Sequence, residues 1–423
     1  MYLADRAAPA RADTAPATTR RPAWRVSSVV LALGAVSLIT DVSSEMVTAV
    51  LPLYLVVGLG LSPLGFGTLD GVYNGVSALV QLTGGHLADR VRNHKLIAGI
   101  GYGLSALCKP LLLLVHSLGP LGVVLALERT GKGLRTSPRD ALISLSTPAE
   151  YRGRAFGVHR AMDTTGAVLG PVAAFLILRA AADGYDAVFG VSACVAVLGV
   201  LVLVLFVPGR RQLAADGIGA DTPDRGPVNL REAAALLRLP RLRGLAGCAV
   251  LLGLTTVSDA FVYLLLQHRA HIGEEWFPLM PLGTAAVFLL LAVPAGVLAD
   301  RVGRRVVFLS GHAALLAGYA LLLWAPATPA LPYLVLALHG TFYAATDGVL
   351  PAAVADVVPE ELRGSGLALV GTGQALARFC CSLAFGAAWT VWGDGRALLG
   401  SAVGLLLCAL VAGAMLRPTG ERR

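Results

Sequence analysis

Two carboxylates, Asp41 and Glu45, stand four residues apart in LGAVSLITDVSSEMVTAVLPLYLVV, residues 33–57, a stretch otherwise apolar enough for lipid. At that spacing they share one helix face, with Ser43 and Ser44 between them. A charge in the middle of a bilayer costs about 2.5–3.5 kcal/mol or more. Two neighbouring carboxylates with little water cannot both ionise easily. A group that changes protonation during a working cycle is what a proton carrier needs. The competing reading is a purely structural pairing with a cation, and cation binding is a third.

A second charged face follows in LALERTGKGLRTSPRDALI, residues 125–143. Glu128, Lys132, Arg135 and Arg139 recur at spacings of four, three and four, one face of a helix. Gly131, Gly133 and Pro138 make that helix thin and easily kinked. Lys132, Arg135 and Arg139 can either neutralise Asp41, Glu45 and Asp163 or hold an anionic group of a ligand. TGKG is not a phosphate loop, because the GxxxxGK[ST] spacing is missing. Lys109 and Glu128 are expected to pair. Arg139, Asp140, Arg160 and Asp163 are expected to form a charge network near one membrane face, with His159 beside it solvated among headgroups. Asp259, Asp347 and Arg378 are further buried charges, and Asp70 faces either a pore or Lys109. Asp41, Glu45, Asp163, Asp259 and Asp347 are thus the proton-coupling candidates. Lys132, Arg135, Arg139, Arg378 and Tyr54 are the candidates for touching substrate. Tyr73, Tyr102, Tyr263, Phe342 and Tyr343 join Tyr54 as possible cavity aromatics, with ordinary core packing as the alternative.

These residues need a membrane scaffold. The 423-residue chain is 56% hydrophobic and 14% charged, with a mean hydropathy of +0.71, whereas soluble domains are roughly 25% charged. Apolar runs of helix-spanning length place twelve spans at 27–57, 64–87, 96–115, 121–145, 156–181, 187–207, 244–270, 278–299, 306–326, 332–357, 365–390 and 396–417. Residues 1–26 read as a disordered basic tail, 208–243 as a polar linker with an amphipathic helix at its end, and 418–423 as a short tail. If the N-terminus is cytoplasmic, the cytoplasmic segments hold 24 of the 34 Lys and Arg. That bias predicts both termini in the cytoplasm, and it accounts for the net charge of +8 without nucleic acid. The six cysteines all lie in apolar segments without metal-ligand spacing, so no metal or other cofactor is expected. With no HExxH, GxSxG or Cys/His cluster, an enzyme is not expected either.

The two halves repeat. GHLADRVRNHK at 85–95 returns as GVLADRVGRRV at 296–306, and TPAEYRGRAFG at 147–157 returns as VPEELRGSGLA at 358–368. Both pairs are offset by 211 residues, carrying Asp89 to Asp300 and Arg152 to Arg363. An even number of spans per repeat predicts two parallel six-helix bundles, 27–207 and 244–417, with a site between them. Gly166 and Gly170, just before Pro171 in GAVLGP, form a small-xxx-small packing face.

On these residues the chain resembles the major facilitator superfamily. GVLADRVGRR fits that superfamily's loop signature in full, while the first copy carries Arg92 and Asn93 where Gly and Arg are usual. ERTGKG, with Arg129, resembles the fourth-helix signature, and GAVLGP resembles the fifth-helix signature of antiporter members. TDVSSEM, RTSPRDALI and RGRAFGVHRAMDTTGAVLGP resemble a prokaryotic subgroup. The resemblance implies an all-α fold and a multi-pass protein of the plasma (inner) membrane, working as a monomer. It also implies a gate built from Asp89, Arg90, Asp300, Arg301 and Arg304, with Arg129, Arg152, Arg160 and Arg363 as supporting basic residues. The function it implies is proton-coupled export of a small organic molecule, an anionic one included. Uptake of an organic anion or metabolite, sodium in place of protons, and a non-transporting sensor or scaffold are the alternatives.

Overall fold

The computed structural model describes residues 27–91, 93–148, 151–181, 184–208, 236–359 and 362–416, with side chains outside 77–79, 81–91 and 363–364. The expected tails and most of the linker lie outside these residues, as do the side chains of Asp89, Arg90 and Arg363. All regular structure among the described residues is helical.

Helix α1 spans Ser28–Leu53, where the Ser27 hydroxyl accepts the Val29 N–H and supplies the N-cap such a helix favours. Pro52 lacks the N–H for a regular last turn, and the chain continues as a wider π-turn over Tyr54–Gly58. Next come α2 (Pro63–Val91), α3 (His94–Leu114), α4 (Leu118–Leu145), α5 (Arg152–Ala180) and α6 (Gly184–Phe206). The second half holds α7 (Pro240–Gly253), α8 (Asp259–Ala270), α9 (Met280–Val302), α10 (Arg304–Trp324), α11 (Leu331–Thr346), α12 (Val349–Val357), α13 (Arg363–Trp392) and α14 (Asp394–Met415). Among the described residues, eight helices are long and apolar enough to cross a bilayer by themselves. The 28-residue α4 is long enough but carries the charged face described above.

Two of the twelve expected spans are not continuous. The seventh breaks between α7 and α8 at Thr255–Ser258. There the Thr255 and Thr256 hydroxyls turn back to the Leu252 carbonyl at 3.1 and 2.9 Å, and the Val257 N–H donates to Tyr319 Oη at 2.8 Å. Irregular backbone survives at membrane depth only with such substitutes. The tenth breaks at Asp347–Gly348. Pro351 cannot donate to the Asp347 carbonyl one turn earlier, and its ring crowds that carbonyl.

The repeat is visible in the helices. Asp89 and Asp300 each stand two residues before the end of their helix, and Arg152 and Arg363 each open one. In the first half α1 packs on α5 and α6, α2 on α4, and α3 on α4 and α6. The corresponding neighbours recur in the second half: α7 on α13 and α14, α9 on α11, and α10 on α11 and α14.

The halves meet along α2 and α13, and where the turn Glu274–Leu279 packs on α1 and α5. Much of this contact lies at the end where α2 begins. The Leu64 N–H donates to Thr390 Oγ1 at 3.0 Å, Phe66 meets Phe261 at 4.8 Å between ring centroids, and Tyr185 donates to Glu274 at 2.9 Å.

Close helix approach in the first half depends on glycine. A Cβ on Gly170 would stand 2.8 Å from both Glu45 Cβ and the Val42 carbonyl oxygen, and 2.9 Å from the Met46 nitrogen. A Cβ on Gly166 would stand 2.5 Å from the Leu38 carbonyl oxygen. Backbone cannot yield as a flexible side chain can. Gly170→Val is therefore expected to destabilise the fold by about 1–3 kcal/mol or more, read as a lower melting temperature in detergent. An unchanged melting temperature would contradict this account of the α1–α5 contact.

Candidate functional site

The α1 carboxylates and α4 cations meet as two rungs. Lys132 Nζ lies 3.1 Å from Glu45 Oε1, and Arg135 Nη2 lies 3.1 Å from Asp41 Oδ1. The i, i+4 spacing on α1 and the i, i+3 spacing on α4 align both pairs. Gly166 and Gly170 press α5 against the same stretch of α1. Gly101 and Gly131 do the same for α3 and α4, letting the Arg135 guanidinium sit 4.7 Å from the Tyr102 ring centre.

One turn on, Arg139 bonds Asp140 at 3.0 Å and Ser37 Oγ at 3.3 Å, and lies 3.5 Å from Asp163. Arg160, on an exposed position, reaches Asp163 at 3.7 Å. His159 departs from expectation. It is buried rather than solvated, with Nε2 3.0 Å from Ser37 Oγ, because that hydroxyl gives it a partner inside the bundle.

Farther along α4, Glu128 accepts from Lys109 at 3.1 Å, Arg129 at 2.6 Å and Ser105 at 3.2 Å. Arg129 also covers the Tyr73 ring at 3.6 Å. Lys109, Glu128 and Arg129 are all buried.

A cavity of about 520 Å³ lies between the halves, a size suited to a small organic ligand. Glu45, Asp70, Asp259 and Arg378 are its ionisable acidic and basic wall residues, and Phe66, Tyr73, Tyr263, Phe277 and Tyr343 its aromatic ones. The broken backbone of the seventh span supplies Thr256 to Ala260 to this wall, so the interruption shapes the cavity. Asp259 accepts from Tyr343 Oη at 2.6 Å and lies 3.0 Å from His339 Nε2. Asp70 accepts from Asn74 Nδ2 at 3.2 Å on its own helix and from Ser382 Oγ at 2.7 Å across the halves.

The site therefore divides the candidates. Glu45, Asp259 and Arg378 line the cavity, whereas Asp41, Lys132, Arg135, Arg139, Asp163 and Asp347 do not. Tyr54 is buried against Tyr185 and Phe189 behind the wall, and Tyr102 and Phe342 also stand off it. Asp347 is exposed at the α11–α12 break. Asp300 and Arg301 are exposed at the end of α9, and Arg152 at the start of α5. Arg304 pairs with Asp356 and donates to the Ala352 carbonyl at 2.6 Å, tying α10 to α12. Sequence reasoning missed His339, Ser258 and Ser382. His339 and Tyr343 share a helix face at i and i+4, a pattern that could have exposed them as a pair addressing one acid.

The sequence profile described as Major Facilitator Superfamily matches residues 33–289 and 271–423. An uncharacterized MFS-type transporter of Methanocaldococcus jannaschii is 29% identical over 392 residues, covering 90% of this chain and 93% of that one. An uncharacterized protein of Mycobacterium tuberculosis is 32% identical over 171 residues, covering 40% of this chain and 42% of that one. Among solved structures, the nucleoside transporter NupG superposes with a TM-score of 0.77 at 14% identity, over 93% of this chain and all of that one. A bacterial homolog of the human lysosomal transporter Spinster, inward-facing and unoccupied, superposes with a TM-score of 0.71 at 15% identity, over 92% and 96%. At those identities the structures show a shared fold. With the profile spanning nearly the whole described chain, and the repeated bundles enclosing one cavity, the protein is a multi-pass secondary transporter of the major facilitator superfamily.

Proposed function

We propose that this chain couples proton movement to export of a small organic molecule across the plasma (inner) membrane, working as a monomer by alternating access. The observation that carries this reading is the cavity between the repeated halves, with Glu45, Asp70 and Asp259 on its wall. Embedded carboxylates are costly, and a transporter that binds and releases protons has a use for them. Asp41, Glu45 and Asp163 carry the coupling in the first half, beside the cations Arg135, Lys132 and Arg139. Asp259 and Asp347 complete the set in the second. The contacts Leu64–Thr390 and Tyr185–Glu274 join the halves at the end opposite the start of α1. With cytoplasmic termini those contacts would hold the outer end together, which fits loading of an exported compound from inside.

Asp89, Arg90, Asp300, Arg301, Arg304 and Arg363 would lock the opposite state, with Arg129, Arg152 and Arg160 bracing the first bundle. A carboxylate at such a loop favours the N-terminus of a neighbouring helix. Uptake of an organic anion is the second reading, and Arg378 on the cavity wall is the observation that favours it.

The test compares small molecules inside and outside host cells with and without the gene. A compound that accumulates inside on deletion identifies an exporter and its cargo. One left in the medium identifies an importer. No difference across rich and minimal media, together with no pH-driven flux in vesicles, would favour a sensor or scaffold.

A further inference from the structure

We propose that the cavity takes an organic cation, a protonated amine on an apolar or aromatic body, with Asp70 and Asp259 as its counter-charge. The proposal rests on reading this cavity as the transport site. The charged groups of the first half are already matched: Asp41 with Arg135, Glu45 with Lys132, Glu128 with Lys109 and Arg129, and Asp163 with Arg139. Asp70 is different. Its hydrogen-bond donors are the neutral Asn74 and Ser382, the Ser258 hydroxyl stands beside it, and it forms no ion pair among the described residues. Asp259 is held directly by a tyrosine hydroxyl and a histidine ring, with Arg378 acting on it only through its field, and 45% of its side-chain surface remains open. Both carboxylates border the same cavity. Such a pair at membrane depth calls for a cation between its members.

The wall has further unused polar capacity. Ser258 occupies the N-cap position of α8, yet its hydroxyl caps nothing and is buried on the wall beside Asp70. It can accept from an ammonium N–H. Arg378 Nε is buried without a hydrogen-bond partner and can donate to an acceptor oxygen carried by the same ligand. Arg378 does not turn the site toward anions, since its single charge stands in the field of both Asp259 and Asp347. Phe66, Tyr73, Tyr263 and Phe277 supply ring surface around this group. Aromatic faces attract cations, and their apolar area suits the body of an amphipathic amine. The expected ligand therefore carries an ammonium toward Asp70, Ser258 and Asp259, and an apolar body along the rings.

Three probes of one shape test this: phenylbutylamine, its neutral N-acetyl derivative, and phenylbutyrate. Binding to the purified full-length protein in nanodiscs is read by calorimetry. The amine should bind saturably, and the other two at least about tenfold more weakly, the scale of a charge-assisted hydrogen bond. Asp70→Asn and Asp259→Asn should each weaken the amine by about tenfold or more, while a melting curve verifies their folding. Should Asp70→Asn fail to fold, Asp259→Asn and the three-probe order on the unaltered protein still decide. Tightest binding of phenylbutyrate, no saturable binding of the amine, or amine binding that ignores both substitutions would each overturn the inference. None of these would remove pH-driven transport of another compound, so the broader reading stands or falls separately.

Discussion

Glu128→Gln is expected to destabilise the protein by about 3–5 kcal/mol, the usual consequence of removing one partner from a buried ion cluster. Glu128 is the single carboxylate between Lys109 and Arg129, and the three residues are 3%, 1% and 6% exposed. Without its charge, two cations would face each other with little water to screen them. Ser105 Oγ would lose its charged acceptor as well. A fall in melting temperature and in folded yield from membranes would show it. The double variant Lys109→Met/Glu128→Gln should recover part of the loss, because it leaves one cation, and Arg129 keeps its seat over Tyr73. Strict additivity of the two single changes would contradict the cluster, since groups in contact couple.

Asp41→Asn and Glu45→Gln should each abolish pH-driven transport in reconstituted vesicles, followed with an internal pH dye and the cargo found by the deletion comparison. The geometry separates their side effects. Asp41 faces Arg135, whose side chain is 4% exposed, so Asp41→Asn strands a buried cation and should also lower stability. Glu45 and Lys132 are 25% and 30% exposed, and Glu45 borders the cavity, so Glu45→Gln should leave the fold nearly intact. Adding Arg135→Gln to Asp41→Asn should restore stability without restoring coupling. Exchange of cargo without a pH gradient should survive in Glu45→Gln. Full pH-driven uptake or efflux by the Asp41→Asn/Glu45→Gln double variant would remove α1 from the coupling mechanism.

Much of the charged architecture was legible because it follows helix period. Lys132, Arg135 and Arg139 fall on one face of α4 whatever surrounds them, as Asp41 and Glu45 do on α1. The 211-residue repeat similarly placed Asp300 and Arg363 at helix ends matching Asp89 and Arg152. Local pattern was less informative where two preferences compete. TTVS at 255–258 lies in an apolar run and reads as helix, yet the Thr hydroxyls take the Leu252 carbonyl and Tyr319 takes the Val257 N–H. That exchange needs Tyr319 from a segment some sixty positions away. His159 escaped for the same reason: Ser37, its buried partner, is 122 positions distant.

The sequence by itself therefore determined a helical membrane protein, its internal repeat, and the charged faces of α1 and α4. Composition and period are properties of neighbouring residues and survive without knowledge of the fold. Tertiary structure alone decided that Lys132 and Arg135 are spent on Glu45 and Asp41, and that Asp70, Asp259 and Arg378 reach the cavity. Which charges cancel depends on distances between helices, and those are set by glycine contacts such as that of Gly170, on α5, against α1 and by packing across the two halves.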